Sequence, residues 1–152
     1  MCFNFCIMNI ASTFIKDNVN ELENVLIDAI QRLDIEMFKE FYIHTEDYKK
    51  SKRLFLIRDM DIVFEEFKKL GDTCLEASLG VCGRCNKGCE GYYVIGNKSR
   101  NYMTLLFDNE LEKVVGIIEC TDMKTSNKNE KLNKRVYLHE FNDPDSPNNV
   151  PF

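Results

Sequence analysis

The most regular pattern in the chain begins after Asn20, where Leu22, Val25, Leu26, Ala29, Ile30 and Leu33 recur at the spacing of one helix face. Asn20 followed by Glu23 has the form of a capping box, in which the carboxylate reaches back to a free backbone donor. Asp34 then predicts a second, shorter helix through Ile35, Phe38, Phe41 and Tyr42, because its side chain can accept from the amides a new helix leaves open. TEDYKKSKR is polar and basic and is expected to cross the surface, and RLFLI is too short for periodicity to assign. Asp59 is expected to cap a third helix buried through Met60, Val63, Phe64 and Phe67. Gly71 stands where a left-handed residue ends such a helix.

Beyond Gly71 the period changes from helical to alternating. Leu75, Ala77 and Leu79 point one way, with Cys74, Glu76 and Ser78 the other. Three further strands are predicted in GYYVI, NYMTLLF and KVVGIIEC, rich in β-branched and aromatic residues and separated by the turn-forming GNKSR and DNELE. A plain meander is the simplest connection. From Thr121 the composition shifts to Lys, Asn and Ser and then to DPDSPNNVP, too poor in apolar side chains to bury, except around Val136 to Phe141.

The predicted fold class is therefore α+β, with N-terminal helices packed on a curved antiparallel sheet. Its expected organisation is an N-terminal segment over 1–19, one domain over 20–123 and a polar, flexible tail over 124–152. A length of 152 residues with 44% apolar content suits one core. The uncharged opening MCFNFCIMNIASTFI lacks the basic start of a secretory signal and the length of a span, and Met8 is an alternative start. With a net charge of -5 no nucleic-acid partner is expected, since phosphate contacts draw on a surplus of Lys and Arg; no membrane partner is expected either.

Candidate chemistry lies in the cysteines. They number seven, an odd and clustered set that fits a reducing cytoplasm better than a secreted disulfide framework. Cys82, Cys85 and Cys89 form CxxCxxxC, with gaps that let thiolates converge on one ion and glycines that permit the tight turns. They are the predicted metal ligands, and the metal is zinc in a structural role. Cys74, Cys120, His44 and His139 are the outside candidates for a fourth ligand. In a plain meander Cys89 opens one strand and Cys120 closes another on the far edge, about 20 Å away; a sheet of other topology would bring Cys120 back. An iron–sulfur cluster would want a different spacing, and a redox CxxC would want a helix start.

"AIQRLDIEMFKEFY", Ala29 to Tyr42, resembles the opening of the nuclear transport factor two-like proteins. That resemblance implies a cone-shaped α+β fold with helices against a bent sheet, here over about Asn20 to Thr121, and often a pocket between them. "CNKGCEGYYVIGNKS" is similar to small bacterial proteins with a cysteine knuckle ahead of the sheet. Neither resemblance implies a reaction. Asp61 and Glu65 share a helix face as wet-surface acids do, and neither His lies in a predicted strand. The sequence thus points to a zinc-stapled binding or adaptor module for a protein or small-molecule partner, with homodimerisation among its options. A cone-fold enzyme or small-ligand carrier, and a thiol-based redox sensor, are its alternatives.

Overall fold

A computed structural model describes residues 21–82, 90–110, 113–120, 123–125 and 131–138. The predicted segment 1–19, Asn20, Cys85, Cys89 and His139 lie outside the described residues. The order is four helices followed by five strands: α1 (Glu21–Gln31), α2 (Ile35–Tyr42), α3 (Glu46–Ser51), α4 (Leu54–Lys69), β1 (Leu75–Cys82), β2 (Glu90–Gly96), β3 (Tyr102–Glu110), β4 (Lys113–Glu119) and β5 (Met123–Thr125). The chain is α+β.

Local chemistry sets most helix ends. Leu33 turns left-handed at φ 55°, and the Met37 amide then donates to Asp34 Oδ1 at 3.0 Å, the predicted cap of α2. Gly71 at φ 91° closes α4 in a Schellman motif, with Asp72 N donating to Phe67 O and Gly71 N to Lys68 O, each at 3.0 Å. One expectation is extended here and one fails. TEDYKKSKR contains a helix, because Thr45 Oγ1 accepts from Tyr48 N at 3.0 Å and starts α3. RLFLI is the first turn of α4, so Asp59 lies inside that helix, 1% exposed, rather than at its cap.

The first four strands form the expected meander, and the fifth departs from it. Sheet order is β4-β3-β2-β1-β5, all antiparallel, with β5 returning to pair Met123 with Cys82 and Thr125 with Gly80. Four strand spacings would separate β4 from β5 by about 19 Å in a flat sheet. The step from Glu119 to Met123 spans at most about 14 Å. The sheet therefore bends. At the bend Gly80 pairs with Gly91, and a Cβ on Gly91 would stand 2.7 Å from Met123 Cε and 3.0 Å from Gly80 O. Side chains are excluded there so that Met123 can lie on the strands.

The helix-side face carries Leu75, Ala77, Tyr92, Val94, Met103, Leu105 and Phe107, packed on Leu26, Ile30, Phe38, Met60, Phe64 and Phe67. A bulge between Asp108 and Asn109 changes the β4 register, so Val114 and Ile117, three residues apart, both reach this core. The opposite face has its own cluster of Tyr93, Ile95, Leu106, Cys120 and Met123, with Tyr102 and Leu132 against it.

Leu132 belongs to the predicted tail and packs against this second cluster. Tyr102 N donates to Lys134 O at 3.0 Å and Val136 N to Tyr102 O at 2.6 Å, filling the slot beside β3 that β4 leaves. Leu138 is fully buried in the main core, its amide donating to Glu119 Oε2 at 2.6 Å. Substituting Leu138→Ala should lower stability by about 2–5 kcal/mol in urea titration; a loss near zero would return these residues to a flexible tail.

Candidate functional site

The predicted ligands divide between described and undescribed residues. Cys82 ends β1, its backbone paired to Met123, while Cys85 and Cys89 follow outside the described residues. Among the described residues no group of three or more His, Cys, Asp or Glu is placed to hold a metal ion. The fourth-ligand candidates separate clearly. Cys74 stands one residue before the other end of β1, about 26 Å from Cys82 for eight residues of extended chain. It is also disulfide-bonded, which removes its sulfur from the donor set. His44 is exposed in the turn after α2.

Cys120 is buried and is not disulfide-bonded. The β5 return places it three residues from Met123, the Cα partner of Cys82. Chain length then limits the Cys120–Cys82 Cα separation to about 16 Å, while the Cys89–Cys120 distance expected of a plain meander involves a residue outside the described ones.

A polar knot fixes this crossover. Thr104 Oγ1 donates to Cys120 O at 2.5 Å, Arg135 Nη2 donates to the same oxygen at 2.7 Å, and Arg135 also bonds Thr104 Oγ1. Tyr93 OH donates to Met123 O at 2.6 Å. Burial, with Tyr102 beside it, pushes the Tyr93 hydroxyl up despite the Arg135 charge, so it stays a proton donor. The Arg135 guanidinium lies 5.8 Å from the Tyr102 ring and 5.7 Å from the Tyr137 ring, so the docked C-terminal strand brings a cation onto the crossover.

A second cluster was not foreseen. On the helix side Glu23, 4% exposed, accepts from Tyr92 OH at 3.0 Å and from Asn109 Nδ2 at 2.7 Å, which joins α1 to β2 and β3. Its signal in the sequence is a charge on an apolar stripe, since Glu23 precedes Leu26, Ile27 and Ile30 by three, four and seven residues. Asp59 carries the same signal between Leu56 and Val63. A third cluster, at the sheet edge, ties the helices down: Tyr42 OH donates to Asp47 Oδ2 at 2.5 Å, and Arg53 Nη1 reaches Asp47 at 3.1 Å and Ile117 O at 3.0 Å. Burial and the Asp47 carboxylate raise the Tyr42 hydroxyl far above its usual range. Asp61 and Glu65 are exposed, as expected of a wet face.

Comparison with protein-family models, with curated proteins and with solved structures finds no match for this chain.

The buried acid in α4 gives a pH test. Burial raises the Asp59 carboxyl above its usual value, opposed by Arg58, whose Nε lies 3.7 Å from Oδ1. A raised native value means that the folded state holds this proton more tightly than the unfolded one. Its contribution to stability is complete below about pH 3.9 and is lost as pH rises through the native value. Asp59→Asn should therefore raise the urea midpoint at pH 7 and leave a smaller gain near pH 4. A variant less stable than the wild type at pH 7 would contradict this sign.

Proposed function

We propose that this chain is a small binding or adaptor module whose sheet is stapled by a structural zinc on Cys82, Cys85 and Cys89, with Cys120 as the fourth thiolate. The observation that carries the reading is the return of β5 to the end of β1, which leaves the buried Cys120 three residues from the Cα partner of Cys82. The donor chemistry fits: zinc takes four thiolates tetrahedrally and needs no redox change. Its role here is to fasten the crossover and the loop after Cys82 to the bent sheet. Structural zinc is worth roughly 10–16 kcal/mol apparent in finger peptides, against about 2–4 kcal/mol for a typical disulfide. A cone-like architecture akin to nuclear transport factor two belongs to the same reading, supported by the helices on one face of a bent meander.

Compartment is tied to the same sulfurs. No described helix is long and apolar enough to cross a membrane. A reducing cytoplasm suits the cysteine cluster, whereas the disulfide at Cys74 is a bond that cytosolic reductants keep scarce.

Protein purified without added metal should be colourless and carry about one zinc per chain. Chelation should lower the melting temperature, Cys120→Ser should weaken zinc retention, and Cys74→Ser should leave it intact. Metal-free protein with every thiol titratable after reduction would refute the staple, and a brown visible band would point to iron–sulfur instead.

The Glu23 cluster favours a second reading, a cone-fold enzyme or small-ligand carrier, because it sets an acid, a phenol and an amide together on the helix side of the sheet. Under the adaptor reading these contacts are structural. Glu23→Ala should then cost about 2–4 kcal/mol in urea titration, since Tyr92 and Asn109 each lose their bond to the carboxylate. Tyr92→Phe should cost about 1–2 kcal/mol. If both variants melt like the wild type, the cluster is kept for something other than stability, and the second reading gains.

A further inference from the structure

The corner between α3 and α4 has a surface unlike the rest of this acidic chain. Lys49, Lys50, Ser51 and Lys52 are all exposed, and Lys52 is left-handed at φ 49°, so the chain turns sharply outward there. Arg53 points back into the protein, bonded to Asp47 and to Ile117 O. It anchors the corner from behind. Leu54 and Phe55 follow, 62% and 47% exposed, the first two residues of α4. The Arg58 guanidinium lies 5.0 Å over the Phe55 ring, and Lys113 Nζ comes within 3.9 Å of Glu46 Oε1, an oxygen it shares with Lys49. The nearby acids are largely engaged: Asp47 with Arg53, Asp59 buried beside Arg58, and Glu46 between two lysines. Asp61, further along α4, is exposed and begins the acidic part of that helix.

We propose that this corner is a docking point for an anionic lipid surface, with Leu54 and Phe55 entering the headgroup boundary while Lys49, Lys50 and Lys52 meet the lipid charge. Three features select this occupant. A cationic cluster on a chain of net charge -5 is complementary to an anionic plane and holds the rest of the molecule away from it. Leu54, the most exposed of the large apolar side chains described, is aliphatic and gains from burial at an acyl boundary without offering a stacking face to a nucleic-acid base, and the Phe55 ring beside it already carries the Arg58 guanidinium over its face. The corner is also a short projecting run, which a soft planar surface can receive, whereas a stable protein interface buries about 20–30 residues a side. Lysine stems can lie along the apolar layer with their ammonium groups in the headgroups. No spanning segment is needed, and the docking is independent of the zinc reading, because none of these residues is a cysteine ligand.

The test is sedimentation of the full chain with vesicles of phosphatidylcholine alone and of phosphatidylcholine mixed with phosphatidylserine, at low and at physiological salt. The protein should pellet with the mixed vesicles, less so as salt rises, and stay in solution with phosphatidylcholine alone. Reversing Lys49, Lys50 and Lys52 to Glu should reduce binding more than about tenfold. The pair Leu54→Ser and Phe55→Ser should weaken it while leaving its salt dependence. All five side chains are exposed, so the variants should melt and show far-ultraviolet circular dichroism like the wild type. The proposal is overturned if the mixed vesicles fail to pellet the protein, or if both variants bind as the wild type does. It is equally overturned if a polyglutamate peptide or a single-stranded oligonucleotide occupies the corner with no dependence on Leu54 and Phe55.

Discussion

The structure depends on the two central strands being apolar on both faces. Tyr92 to Ile95 of β2 and Met103 to Phe107 of β3 are buried without a break, so each face needs its own cover. The helices supply one cover: α1, α2 and α4 bring Leu26, Phe38, Met60 and Phe64 against Tyr92, Val94 and Leu105. No helix among the described residues covers the other face. It is closed by Cys120, Met123 and Leu132, from the least apolar part of the chain. Leaving a face of Tyr93, Ile95 and Leu106 in water would forgo roughly 25 cal/mol for every Å² of apolar surface.

This second cover is polar in its fastenings and apolar only at a few points. Arg135, Thr104 and Tyr93 hold the backbone carbonyls of Cys120 and Met123 where the link leaves the sheet ladder. Such bonds answer a strict demand, because a carbonyl left buried and unpaired costs about 1–3 kcal/mol. The crossover that carries Cys120 toward Cys82 is thus a consequence of covering the sheet. A metal at that place would reinforce a bend already stabilised by Met123 lying over Gly80 and Gly91.

The buried charges follow one logic. Glu23 and Asp47 are both buried carboxylates, and each sits where elements are held against one another. Glu23 links α1 to β2 and β3, and Asp47 gathers α2, α3 and the Arg53 that reaches β4. Removing a partner from such a group costs more than its net contribution, which makes these positions intolerant of change even without a chemical role.

Read alone, the sequence was sufficient for what depends on neighbours along the chain. The α1 helix, the Asp34 cap, the Gly71 stop and the alternation of Leu75, Ala77 and Leu79 are local patterns that appear where their spacing put them, except that Ile27 rather than Val25 joins the buried stripe of α1. It misplaced Asp59 because an acid ahead of an apolar stripe looks like a cap whether it begins the helix or is buried within it. Composition also undervalued Leu132, because it counts apolar residues, whereas Leu132, like Val136 and Leu138 in the stretch expected to bury, faces a waiting surface. Only tertiary structure decided that β5 returns to β1, that Cys74 is disulfide-bonded while Cys120 is buried and is not, and that Glu23 meets Tyr92 and Asn109. The β5 pairing and the Glu23 cluster join residues far apart in the chain, and their meeting is set by which faces of the bent sheet remain to be covered.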